Sequence, residues 1–272
     1  MILKIDFSSA LSRFLYYARI WIMMSKNAFM SVLAQKKLFF LFLTGKIIRF
    51  SFFGLFLFFL VQGAGGIVGY DVDQAVFFFL TFNVIDIISQ FLFREIYRFR
   101  PLLISGDFDL ILLKPFNSLF RVLMGGADVI DLFTIPPLIV AVIYIGGKLN
   151  PMAFHIFLYI VLIISGLLIA MAFHILVASL GIITLDVDHT IMIYRDFVNL
   201  GRFPIEIYRQ PLQGVLTYLI PLGVMIAVPA RALMGLVSIQ GVLLSFFLSF
   251  TGIFLSLRFW KYAIKKYTSA SS

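Results

Sequence analysis

Runs of about twenty apolar residues recur along this chain between Leu38 and Leu257, each long enough to cross a hydrocarbon core roughly 30 Å thick as a helix. Inside such a core every backbone N–H and C=O needs a partner from the protein itself, which leaves helices or closed barrels. Barrel strands alternate apolar and polar residues over about ten positions. Here the runs are continuously apolar, residues 50–61 being almost pure Phe and Leu. The fold class is therefore all-α and integral to a membrane. Composition agrees, with 62% of the 272 residues hydrophobic and 13% charged, against roughly 45–50% and 25% in a soluble domain. The absence of cysteine removes disulfides and thiolate metal sites.

The first span lies within residues 38–62, the second at 74–93, the third at 123–145, the fourth at 153–185 and the last at 236–257. Between the fourth and the last, residues 186–235 carry Arg195, Asp196, Arg202, Glu206 and Arg209 and are broken by Pro204, Pro211, Pro221 and Pro229. Proline removes a helix hydrogen bond and clashes with the preceding turn, so straight full-length helices are not expected there. Lys46 and Arg49 fall inside the first span. A centred cation costs at least about 2.5 kcal/mol, so both are expected to snorkel toward headgroups rather than face a polar interior.

Residues 1–37 do not read as a cleaved signal, because Arg13, Arg19 and Lys26 are spread through the segment. Leu11, Leu15, Ala18, Ile22, Phe29 and Leu33 share one helical face, and Ser12, Arg19 and Lys26 repeat every seven residues on another. This pattern predicts an amphipathic helix in the membrane interface, its basic side toward anionic headgroups; packing on the protein is the alternative.

Orientation follows from the cations. Lys4, Arg13, Arg19, Lys26, Lys36 and Lys37 precede the first span; Arg94, Arg98, Arg100, Lys114 and Arg121 follow the second; Arg258, Lys261, Lys265 and Lys266 follow the last. The turns at 63–73 and 146–152 hold Lys148 alone. Both termini and residues 94–121 are thus expected in the cytoplasm, which requires an even number of spans, six. A single transmembrane domain, 1–272, accounts for the net charge of +9 through its inner loops, and no nucleic-acid partner is expected.

No phosphate loop of the Walker type, no His-Glu-x-x-His and no Gly-x-Ser-x-Gly occurs, and His155, His174 and His189 are scattered. No catalytic residue and no metal site are expected. Intramembrane carboxylates are unfavourable unless they face protein or water, which makes Asp86, Asp128 and Asp131 candidates for a transport path. Asp128 and Asp131 equally suit the cytoplasmic end of the third span. A chain of this kind works through a soluble contact, and the polar stretch after Phe93 is where that contact is expected.

Three pieces carry a resemblance. They are residues 106–117 (Gly-Asp-Phe-Asp-Leu-Ile-Leu-Leu-Lys-Pro-Phe-Asn), residues 201–205 (Gly-Arg-Phe-Pro-Ile) with Pro221 and 229–233, and the ending 265–272. Over nearly the whole chain they resemble the membrane subunit of ABC-2 type exporters, in particular uncharacterised daunorubicin-resistance-like permeases. The resemblance implies a six-helix bundle serving as the permease subunit of an exporter. Its energy would come from ATP hydrolysed, with Mg, on a separate nucleotide-binding subunit, with no cofactor in this chain.

It further implies a second permease, identical or similar, surrounding lipids, and the bacterial inner membrane. Residues 94–121 become a coupling segment whose ATPase-docking residues are Gly106, Asp107, Phe108, Asp109, Lys114 and Pro115. Asp107 and Asp109 would pair with basic residues of the ATPase, Phe108 would fill an apolar cleft, Pro115 would end a short helix, and Gly106 would be its flexible entrance. The fifth span becomes 191–205, followed by a re-entrant helical pair at 206–235. The outer gate would involve Gly201, Phe203, Pro204 and Pro221. The rival assignment makes 212–233 the fifth span and leaves 186–211 in the cytoplasm. A rival function is an ion- or proton-coupled carrier using the three Asp residues, for which internal repeats would be the sign; none is evident. The expected cargo is amphipathic or hydrophobic, such as a drug-like cation, a peptide or a lipid.

Overall fold

The computed structural model describes residues 10–268; the starts of the interfacial segment and of its cation count, including Lys4, and the last four residues of the tail lie outside them. Its elements are α1 (Ala10–Leu33), α2 (Lys36–Ala64), α3 (Val72–Phe93), α4 (Phe99–Ile104), α5 (Asp107–Leu112), α6 (Ser118–Met124), α7 (Val129–Lys148), α8 (Ala153–Thr184) and α9 (Val187–Leu200). A bent pair of limbs follows, α10 (Leu212–Leu219) and α11 (Gly223–Leu233), joined at 71°, and then α12 (Ile239–Lys266). Among the described residues, five helices are long and apolar enough to cross a membrane: α2, α3 continued through a 3-10 turn into α4, α7, α8 and α12. By length and composition the bent pair suits a broken span or a re-entrant loop.

The helix starts are set by local chemistry. Asp71 and Gln74 form a capping box at α3, the Asp71 carboxylate accepting from the Gln74 N–H at 2.8 Å and the Gln74 amide oxygen accepting from the Asp71 N–H at 3.1 Å. Asn117 accepts from Leu119 and Phe120 N–H to start α6, and Asp128 accepts from Ile130 and Asp131 N–H to start α7. The expected third span is therefore two helices, broken at Gly125 and Gly126, because orphan N–H groups in the second are met by a side chain rather than by a preceding turn. The basic tail, expected to follow the last span, is its final turns, α12 continuing to Lys266.

The core is built on α3, whose buried run includes Phe77, Phe78, Phe79, Phe82 and Ile85, and on the far half of α8. Ser165 donates to the Ser245 carbonyl at 3.1 Å, and a Cβ on Gly252 would meet Ala172 at 3.4 Å. Those two contacts, seven residues apart on each helix, make α8 and α12 parallel. The chain between them must therefore return across the bundle once. By contrast α2 buries only Phe39, Leu57 and Val61 and lies at the periphery.

α1 packs on the protein along one face. Trp21 meets Phe91 edge-on, Tyr17 meets Phe120 edge-on, and the Ser25 hydroxyl accepts from the Ala127 N–H at 3.1 Å. This face seats α1 on α3 and α6. Leu11, Phe14, Leu15, Ile22 and Met23 remain exposed on the other.

Candidate functional site

The two ends of the bundle differ. At one end lie Gly106, Arg100 and the close of α12; at the other lie Tyr70, the Lys148–Asp73 pair at 3.8 Å and the start of α8. At the first end Gly106 holds a left-handed conformation, φ +80, which an L side chain adopts only with strain. It turns the chain from α4 into α5. In that six-residue helix Phe108 and Ile111, three apart, are both buried. Phe108 is 0% exposed, with its ring 5.1 Å from Phe99 and 5.1 Å from Tyr267.

The expectation that Phe108 reaches out into a partner's cleft is corrected: its own chain fills its surroundings, and it fastens α5 to α4 and to the end of α12. The apolar side chains presented outward are Leu110, 59% exposed, and Leu113, 81% exposed. Helical spacing was the available signal, since packing on Phe108 and Ile111 turns Leu110 outward. Asp107 is exposed and accepts from the Ser105 hydroxyl at 2.7 Å, and Asp109 is half-buried. Lys114 and Pro115 are exposed, the Pro115 carbonyl accepting from the Tyr16 hydroxyl at 3.4 Å. Of the six named residues, Gly106, Asp107, Asp109, Lys114 and Pro115 reach the surface, and Phe108 lies beneath them.

Residues 186–206 cross the bundle, and ion pairs mark their path. Asp188 meets Arg100 at 2.8 Å, at the Gly106 end. Arg195 meets Asp86, midway down α3, at 2.7 Å. Glu206 pairs with Arg231, which also donates to the Tyr70 hydroxyl at 2.7 Å, at the Tyr70 end. The bent pair starts and finishes at that same end, Gly235 packing against the His155 ring. Its middle descends onto α8 and the α9 exit. A Cβ on Gly166 would come within 2.7 Å of the Met225 carbonyl, and one on Gly201 within 2.4 Å of the Ile226 side-chain tip. Phe203 lies 5.7 Å from Phe53 on α2, and Pro204 and Pro221 are buried; of the four named gate residues, Gly201 sits against the descending limb.

Gly166→Ala is therefore expected to destabilise the protein by about 1–3 kcal/mol, because backbone must shift. Gly201→Ala should cost less, because a side-chain tip can rotate. Thermal unfolding of the two purified variants measures the difference.

The three intramembrane acids do not share one site. Asp131 is buried and hydrogen-bonded to Lys46, and Asp128 caps α7 and meets Arg94 at 3.2 Å. Asp86 alone of the three lines a cavity, of about 300 Å³, between α2, α3, α7 and Arg202. Gln90 donates to it at 2.8 Å beside Arg195. Lys46 therefore does not snorkel to headgroups: it turns inward to an acid, and burial of a charge is tolerable when it is paired. Arg49 lines the same cavity. Pro136 and Pro137 interrupt the α7 ladder beside it.

Long apolar helices around a largely apolar cavity that holds three cations, with a bent pair descending from one end, define a polytopic membrane permease. Among the described residues no cluster of His, Asp or Glu is grouped to hold a metal ion. The chain belongs to the ABC-2 family of transporter proteins, whose family model matches residues 46–271. It is thus the membrane-spanning permease component of an ABC transporter. No curated protein and no solved structure matches it.

Proposed function

We propose that this permease exports an amphipathic or hydrophobic molecule, driven by an ATPase subunit that docks on α5 and its flanks from the cytoplasm. The observation that supports this most is the build of the Gly106 end. A short helix there is anchored through Phe108 to the ends of two long helical segments, while Asp107, Leu110, Leu113 and Lys114 face outward. A push on that surface is passed through the Phe99 and Tyr267 rings to α4 and α12 instead of being absorbed in a loop. The cations concentrated at this end argue for its cytoplasmic placement, and with it that of both termini. Two such permeases would enclose the path, and closure of two ATP-binding subunits would repack the helices between inward- and outward-open arrangements. The bent pair, entering and leaving at the Tyr70 end, would then close the outer gate. The acid-based carrier reading is weakened by the pairing of Asp86, Asp128 and Asp131 with cations.

A cysteine-free chain makes the test clean. In membrane vesicles of both orientations, Arg209→Cys should react with an impermeant maleimide only from the periplasmic face, and Leu113→Cys only from the cytoplasmic face. Added ATPase should slow Leu113→Cys labelling about tenfold or more by burying it. Labelling of Arg209→Cys from the cytoplasm alone would remove the gate assignment. Unchanged Leu113→Cys labelling with ATPase bound would remove the docking surface.

A further inference from the structure

The cavity beside Asp86 carries a charge imbalance. Lys46, Arg121, Arg195 and Arg231 each have a carboxylate partner. The Lys46–Asp131 and Arg195–Asp86 pairs are neutral as pairs, so the net charge facing the cavity is that of Arg49 and Arg202. Guanidinium stays protonated throughout the physiological range. Arg202 lies over the rings of Phe53 and Phe82, 5.4 and 5.8 Å from their centroids, and forms no ion pair among the described residues, Asp86 across the cavity being held by Arg195. Arg49 has neither an ion pair nor a hydrogen bond among the described residues. The two cations repel each other across the space, in a setting where an unpaired charge is unfavourable. An anion between them relieves both penalties at once.

The rest of the wall is mainly apolar, with Phe50, Phe79 and Leu138 prominent, and carries the neutral polar side chains Ser51, Asn83, Gln90 and Thr134. The volume, about 300 Å³, stands at the low end of small-molecule sites: room for a headgroup and the start of a chain. Ile47, Arg49 and Ser51 are exposed on the peripheral helix α2, so the cavity opens along α2 and a longer tail can leave it toward lipid.

We propose that this cavity binds the anionic head of an amphipathic molecule, a phosphate, sulfonate or carboxylate on an apolar chain, held between Arg49 and Arg202. Phe53 and Phe82 stack beneath the Arg202 guanidinium and keep it aimed into the site. An organic cation is disfavoured by the same two charges. That the ligand is the cargo rests on the export reading above; the binding itself does not.

The test uses radiolabelled decyl phosphate and the purified full-length permease in neutral maltoside micelles, without ATPase, so that a failure of docking leaves the result untouched. Saturable binding is expected, with Arg49→Gln and Arg202→Gln each weakening it about tenfold or more, as loss of a charge-assisted hydrogen bond implies. Decanol and decyltrimethylammonium should compete poorly. In bilayer discs, displacement of the label by phosphatidylglycerol but not phosphatidylcholine, dependent on both arginines, identifies membrane headgroups as a source. Displacement by unlabelled decyl phosphate alone identifies a mobile amphiphile; both results support the site. Undiminished binding to both variants, or equal competition by decyltrimethylammonium, overturns it. Should either variant elute as aggregate, the competitor ranking on the unaltered protein decides.

Discussion

Asp131→Leu is expected to cost the permease about 3–5 kcal/mol of stability, the penalty for leaving a buried partner charge without its counterion. Asp131 is 1% exposed and Lys46, its partner, sits mostly within the protein. Lys46 is fixed there because α2 and α7 meet at this pair, and its removal exposes no alternative acid: Asp128 is already held by Arg94. Lys46→Met alone should be milder, since an unpaired carboxyl can neutralise itself by taking up a proton. The double variant Lys46→Met/Asp131→Leu should recover most of the lost stability, because two apolar side chains of similar volume replace the pair without a stranded charge. Denaturant midpoints in mixed micelles measure all three. A loss in the double variant equal to the sum of the two single losses would show that the pair is not coupled.

Leu113→Asp is expected to lower ATP-driven transport by roughly thirtyfold or more, the scale set by losing an apolar anchor of about 2 kcal/mol at an interface. Its stability should be unchanged, since Leu113 is 81% exposed and outside the core. Phe108→Ala should also reduce transport, but for a different reason. Removing a fully buried ring costs about 3–5 kcal/mol and frees α5 from Phe99 and Tyr267. Parallel measurement of unfolding and transport separates the two: a surface residue changes transport alone, a bracing residue changes both.

These two pairs of residues also show what could be read in the chain before its structure. The apolar runs located five helices well, because membrane insertion is decided by the composition of local windows. The fourth span was expected at 153–185 and is Ala153–Thr184. The crossing after α8 was hard to see because Val187–Leu200 is only 14 residues and amphipathic. What carries Arg195 through the bundle is Asp86, 109 positions away, and no local window contains that pairing. The inward turn of Lys46 was missed for the same reason, its acid lying on a helix 85 residues further on.

At the proposed docking segment the residue types were legible and their directions were not. Gly106 and the acids after it announced a turn and a helix start. Which of Phe108 and Leu110 faces inward depends on where Phe99 and Tyr267 come to rest. Arg49 stood out as a cation inside an apolar run and Arg202 was one of several charges in 186–235, yet only the folding of the α9 exit against α2 and α3 brings them to one cavity.

The contact with the ATPase is tested most directly by the charge reversal Asp107→Lys/Asp109→Lys, with the tagged permease purified from membranes together with its ATPase and transport measured in the same vesicles. The double variant is expected to remain in the membrane as a monodisperse, folded permease, to lose the co-purifying ATPase, and to show no ATP-driven transport. Normal transport with undisturbed ATPase association would contradict the docking role of this surface.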